Sequence, residues 1–104
     1  MESRENPDIN EQTITNEKTF EYIFYKYYKK LFYFAKEYVI DEETAREIVQ
    51  DAFMKLWEIR FELNANSSIQ ALLFTIIRNK SLNFLKHVIA EKKYSEFLKN
   101  KFYE

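Results

Sequence analysis

Residues 41–60 read DEETAREIVQDAFMKLWEIR, and their spacing decides the fold. Ala45, Ile48, Val49, Ala52, Phe53, Leu56 and Trp57 recur at intervals of three and four, the period of a helix with one apolar face. Asp41 stands where a side-chain oxygen can cap the exposed N–H groups, and Glu42 and Glu43 place negative charge in the first turn. A second row, Glu47, Gln50, Asp51 and Met54, runs beside the stripe and shares a face of its own. The spacing predicts one surface packed inside a domain and another left to solvent or to a partner.

The rest of the chain repeats this habit. Its 104 residues fit one domain, with no glycine and a single proline, Pro7. β-hairpins and sandwiches draw on glycine at their turns, so its absence beside long runs at helical spacing points to an all-α fold. Aromatics make up 18% of the residues, enough for a compact core in a chain with limited burial to spare. There is no cysteine, which excludes disulfides and thiolate metal sites and suits a cytoplasmic setting. The opening MESRENPDINEQT lacks the apolar stretch of a signal peptide, and no apolar run is long enough to insert in a membrane.

Working back from residue 41, a first helix is expected from Glu17 to Tyr38, capped by Thr15 or Asn16. Phe20, Ile23, Phe24, Tyr27, Leu31, Phe34, Ala35 and Tyr38 form its apolar face, and further aromatics widen it almost all the way round. The short connection through Val39 and Ile40 makes the first two helices antiparallel. Residues 1–16 read as a flexible lead. Working forward, FELNANS at 61–67 is a loop by composition, with Phe61 and Leu63 as anchors to the core and Asn64, Asn66 and Ser67 left free. A capping box, Ser67 with Gln70, opens a third helix carrying Ile69, Leu72, Leu73, Ile76 and Ile77. Residues 89–104 are either a fourth short helix, an extension of the third, or the start of an interdomain linker.

The formal charge is -1, but it is unevenly placed. From Arg78 onward seven basic residues (Arg78, Lys80, Lys86, Lys92, Lys93, Lys99, Lys101) face three acids (Glu91, Glu96, Glu104), a balance of +4, and the remainder is acidic. Two partners of opposite charge would suit that division, as would an ordinary solvated surface. The third helix bears Thr75, Arg78, Asn79, Asn83 and Lys86. Amides can bond base edges while Arg and Lys neutralise phosphate. Enzymatic chemistry is not expected. His87 is the only histidine, no glycine-rich loop can cradle a phosphate, and no cofactor or metal site is suggested.

Taken together, AREIVQDAFMKLWEIR (45–60), SIQALLFTIIRNKSLNFLK (68–86) and the aromatic FEYIFYKYYKKLFYFAKEY (20–38) resemble region 2 of bacterial sigma factors, specifically the small extracytoplasmic-function type. The resemblance covers about residues 17–88. It implies a compact core of three helices, often counted as four. It implies binding to the coiled-coil clamp helices of the beta-prime subunit of core RNA polymerase through Glu47, Gln50, Asp51 and Met54, with Leu56 and Trp57 behind or beside them. It also implies recognition and melting of the promoter −10 element. Asn64, Asn66 and Ser67 would hold a flipped base of the non-template strand, and Thr75, Arg78, Asn79, Asn83 and Lys86 would support melting and backbone contact. An anti-sigma factor is a possible further partner.

Two departures stand out. Many family members carry Trp or Tyr where this chain has Leu72, which packs but offers no flat stacking surface. A complete factor of this type also has a second helical domain for the −35 element, so the sequence reads as an excised or truncated domain. The alternative from another class is a helical protein-interaction module that never meets nucleic acid. Exposure of Arg78, Lys80 and Lys86 near the 61–67 loop would favour DNA; their scatter over unrelated faces would favour the module.

Overall fold

A computed structural model describes residue 14, residues 16–64 and residues 68–102. Within them lie three α-helices: α1 (Glu17–Lys36), α2 (Glu42–Glu58) and α3 (Ile69–Phe102), with a single 3₁₀ turn at Arg60–Glu62 between the last two. The fold is all-α.

Asn16 caps α1, its side-chain oxygen accepting from the Thr19 N–H at 2.9 Å. Ile14, just before it, is 1% exposed. The chain is therefore tied to the core at position 14, inside the stretch read as a flexible lead. The expected helix to Tyr38 stops at Lys36. The Tyr38 and Val39 N–H groups both bond the Ala35 carbonyl, and Val39 turns into the core while Ile40 stays exposed.

Asp41 caps α2 as the spacing predicts, accepting from the Thr44 N–H at 2.9 Å and from the Thr44 hydroxyl at 2.7 Å. These bonds favour the charged carboxylate, the hydroxyl bond most, and hold its pKa below the ordinary 3.8. α1 and α2 are antiparallel. Phe20 meets Trp57 at a ring-centroid distance of 5.1 Å and Phe24 meets Phe53 at 4.8 Å, joining the start of α1 to the end of α2. Lys36 and Glu42 are 3.9 Å apart at the other end. The core is Ile23, Leu31 and Ala35 from α1, then Ala45, Ile48, Val49, Ala52, Phe53 and Leu56 from α2.

α3 closes the bundle with Ile69, Leu73, Ile77 and Ser81, one buried residue per turn. Phe74 packs edge-on against Phe34 of α1 at 4.6 Å. The side chain that caps α3 is Ser68, whose Oγ accepts from the Ala71 N–H at 3.1 Å. Ser67, the expected cap, lies outside the described residues. Among the described residues beyond Ser81 none is buried, yet the helix runs on unbroken to Phe102. Its 34 residues make it about 51 Å long at 1.5 Å per residue. Nothing in 82–102 is glycine or proline, and Ala90, Glu91, Lys92, Lys93, Leu98 and Lys99 are strong helix formers. His87 and Glu91 add a contact of 3.0 Å one turn apart. Through Phe102 the described residues therefore continue α3 and form no separate fourth helix. Among the described residues no helix is long and apolar enough to cross a membrane.

Candidate functional site

α2 turns two faces to two environments. Its apolar stripe is the core, and Glu47, Gln50, Asp51 and Met54 lie exposed on the other side, Met54 by 62%. Glu43 and Glu58 extend the same exposed row by the i, i+3, i+4 spacing. Across residues 41–58 the acids Asp41, Glu42, Glu43, Glu47, Asp51 and Glu58 outnumber the bases Arg46 and Lys55, so this face is negative. Leu56 lies behind the row, one of the two placements that the resemblance gave it. It is fully buried, so it backs the row from within and cannot touch a partner. Trp57 is half-buried at the row's edge.

A groove of about 550 Å³ opens along the row. Phe20 and Phe24 of α1 form one wall, Gln50, Phe53, Met54 and Trp57 of α2 the other, and Glu17 and Glu58 stand at its margin. The contribution of α1 was missed by reading α2 alone. The available signal was the i, i+4 pair Phe20 and Phe24, placed by the antiparallel pairing opposite Phe53 and Trp57. Arg60 fixes the Trp57 end. Its Nη1 donates to the Trp57 carbonyl at 2.7 Å, and its guanidinium carbon sits 3.6 Å from the Trp57 ring centroid and 4.3 Å from that of Phe61. A planar cation held over two rings and bonded to backbone stiffens the turn leaving α2. Phe61 is 75% exposed, contrary to its expected role as an anchor, while Leu63 does pack on the core.

The second candidate surface lies on α3. Thr75, Arg78, Asn79, Asn83 and Lys86 are all exposed, spaced i, i+3, i+4, i+8 and i+11 along one stripe. That stripe is opposite the buried line Ile69, Leu73, Ile77 and Ser81. Leu82, 40% exposed, falls among these polar groups and supplies an apolar spot on the stripe. Lys80 is half-buried and turned away from Arg78 and Lys86. Of the three cations weighed at the sequence level, then, two share the stripe and one does not. Lys86 stands about 25 Å along the axis from the start of the helix, at 1.5 Å per residue.

The loop residues divide differently. Asn64 is exposed but already engaged in an interaction, so it is not the free amide expected. Asn66 and Ser67 lie outside the described residues. Leu72 is half-buried and packs on the core, the structural part that an aromatic would also play there.

These two surfaces fall within one stretch that comparison with known proteins identifies. The family model for sigma-70 region 2 matches residues 23–88, well over half of the chain. No curated protein and no solved structure gives a match. With the acidic row of α2 and the polar stripe of α3 both inside the matched residues, the chain belongs to the sigma-70 region 2 family.

Proposed function

We infer that this domain is the core-binding and −10-reading part of a sigma factor of the extracytoplasmic-function type, working in the cytoplasm. Its family is a transcription-initiation family rather than an enzyme family, and region 2 serves core RNA polymerase binding and promoter −10 recognition in general. The observation that carries the finer reading is the separation of two solvent-facing surfaces of different chemistry. One is acidic and lies beside an apolar groove on α2; the other is amide-rich and basic on α3.

On this reading Glu47, Gln50, Asp51 and Met54 receive the beta-prime clamp helices, with basic partner groups meeting the acids and Met54 leaving water at the centre. Trp57 borders the contact and Leu56 supports it from the core. Thr75, Arg78, Asn79, Asn83 and Lys86 meet the separated non-template strand, with Asn64, Asn66 and Ser67 assigned to the flipped base. No bond is made or broken. Unpairing and unstacking a base costs a few kcal/mol, and the domain offsets that cost by binding the extruded form. Arg78 and Lys86 add phosphate neutralisation, which weakens with salt. An anti-sigma factor that covers the acidic row would block the polymerase step.

The deciding experiment titrates the protein against a fragment holding the beta-prime clamp helices, beside a Gln50→Ala, Asp51→Ala double variant checked for fold by circular dichroism. Micromolar or tighter binding that drops at least tenfold in the folded variant supports the reading. No binding by the parent protein moves the interaction-module alternative ahead, for which the 75% exposed Tyr25 and 57% exposed Tyr33 on α1 are the favouring observation.

A further inference from the structure

The α1–α2 groove and the end of α3 are complementary surfaces carried by one chain. The groove offers Phe20, Phe24, Phe53, Met54 and Trp57 as an apolar floor and walls, and the charged groups lining it, Glu17 and Glu58, are both acids. The last turns of α3 present the opposite character. Tyr94, Phe97 and Phe102 are 64%, 57% and 67% exposed, and with Leu98 they recur at i, i+3, i+4 and i+8 on one side of the helix. That is the spacing by which an amphipathic helix anchors in a groove. Over residues 91–102 the bases Lys92, Lys93, Lys99 and Lys101 outnumber the acids Glu91 and Glu96, a balance of +2. Lys101 Nζ is 5.9 Å from the Phe97 ring centroid, on the side of the apolar anchors, where it can meet an acid at the groove margin.

We propose that the groove of one copy seats residues 94–102 of a second copy of this chain. A cis arrangement does not arise, because α3 continues unbroken through Phe102 and none of its residues after Ser81 is buried. Groove and tail are different surfaces, so the contact is head-to-tail; two copies that exchange tails close a dimer. The docked helix covers Gln50 and Met54, so self-association and a clamp helix compete for the same place. The inference goes beyond the polymerase reading and does not depend on it.

Sedimentation velocity on the full chain over a concentration series tests it, with 12.8 kDa as the monomer mass. Phe97→Asp alters the tail and Met54→Lys the groove, both at exposed positions where the bundle stays folded. The parent mass should rise towards twice the monomer, and each variant alone should need at least tenfold more protein to associate. An equimolar mixture of the two variants contains one intact groove and one intact tail, and should regain association that neither shows alone. A parent chain that stays monomeric, a dimer indifferent to either substitution, or a mixture without recovery overturns the proposal.

Discussion

Ser81 sits fully inside the bundle with its Oγ lacking any hydrogen-bond partner. A buried hydroxyl left unpaired loses its water without compensation, so Ser81→Ala should raise unfolding free energy by about 1 kcal/mol in a urea titration; a loss of stability would show that the hydroxyl has a partner. Asp41 carries a pH dependence of known sign. Its folded pKa is lowered by the Thr44 hydroxyl and N–H, so its stabilising effect is complete above the ordinary 3.8 and fades as pH falls through the lowered value. The thermal midpoint of Asp41→Ala should lie below that of the parent at neutral pH, and the gap should close in strong acid. Neighbouring positions on α2 separate packing from contact. Leu56→Ala should cost about 2–5 kcal/mol of stability, as for other buried leucines, whereas the exposed Met54→Ala should leave stability within about 0.5 kcal/mol and weaken clamp-helix binding. Periodicity could place both on α2 and could not rank them. Met54 is exposed, as its row implies, and Leu56, which the resemblance sets behind or beside that row, is buried, as its place in the apolar stripe implies.

At the level of elements, α2 was legible almost to its ends because cap, first-turn acids and apolar period agree with one another. α3 was legible only where tertiary contacts enforce the period. From Ile69 to Ser81 a residue is buried every turn, and the expectation holds. Past that point only Leu85 still packs on the core, and beyond it no neighbouring helix among the described residues selects a face, so helix propensity carries the backbone. Propensity does not reveal whether a helix bends or continues, which is why the 89–104 segment stayed undecided in sequence. The start of α3 shows the same limit: the Gln70 spacing points to Ser67, which lies outside the described residues, whereas the capping bond observed is made by Ser68. The difference along α3 has a dynamic consequence. Backbone amides of 90–102 are exposed on a helix with no packed side, so native-state hydrogen exchange should run through local fraying there and be orders of magnitude faster than at Leu73 to Ile77. Equal protection along the helix in dilute protein would mean the tail is packed.

At the scale of the whole molecule, the functional reading depends on charge being sorted between faces, since the total is only -1. The acidic face of α2 and the basic stripe of α3 would answer salt and mutation in separable ways. Exposed Arg78 and Lys86 are the two cations of the stripe. Each phosphate neutralised on a single strand contributes about 0.7 to the slope of log K against log salt. Binding of a −10 non-template oligonucleotide should therefore lose about 1.4 from that slope when Arg78→Gln and Lys86→Gln are combined, while Lys80→Gln, turned off the stripe, should leave the slope nearly unchanged. The same double variant should bind the clamp-helix fragment as the parent does, because neither cation lies on the α2 row. If all three lysine and arginine changes lowered the slope alike, the phosphates would be tracking general positive charge and the assignment of one α3 stripe to the strand would fail. If the double variant lost clamp binding as well, the two surfaces would not be independent, and the division of labour between α2 and α3 would have to be redrawn as one continuous interface.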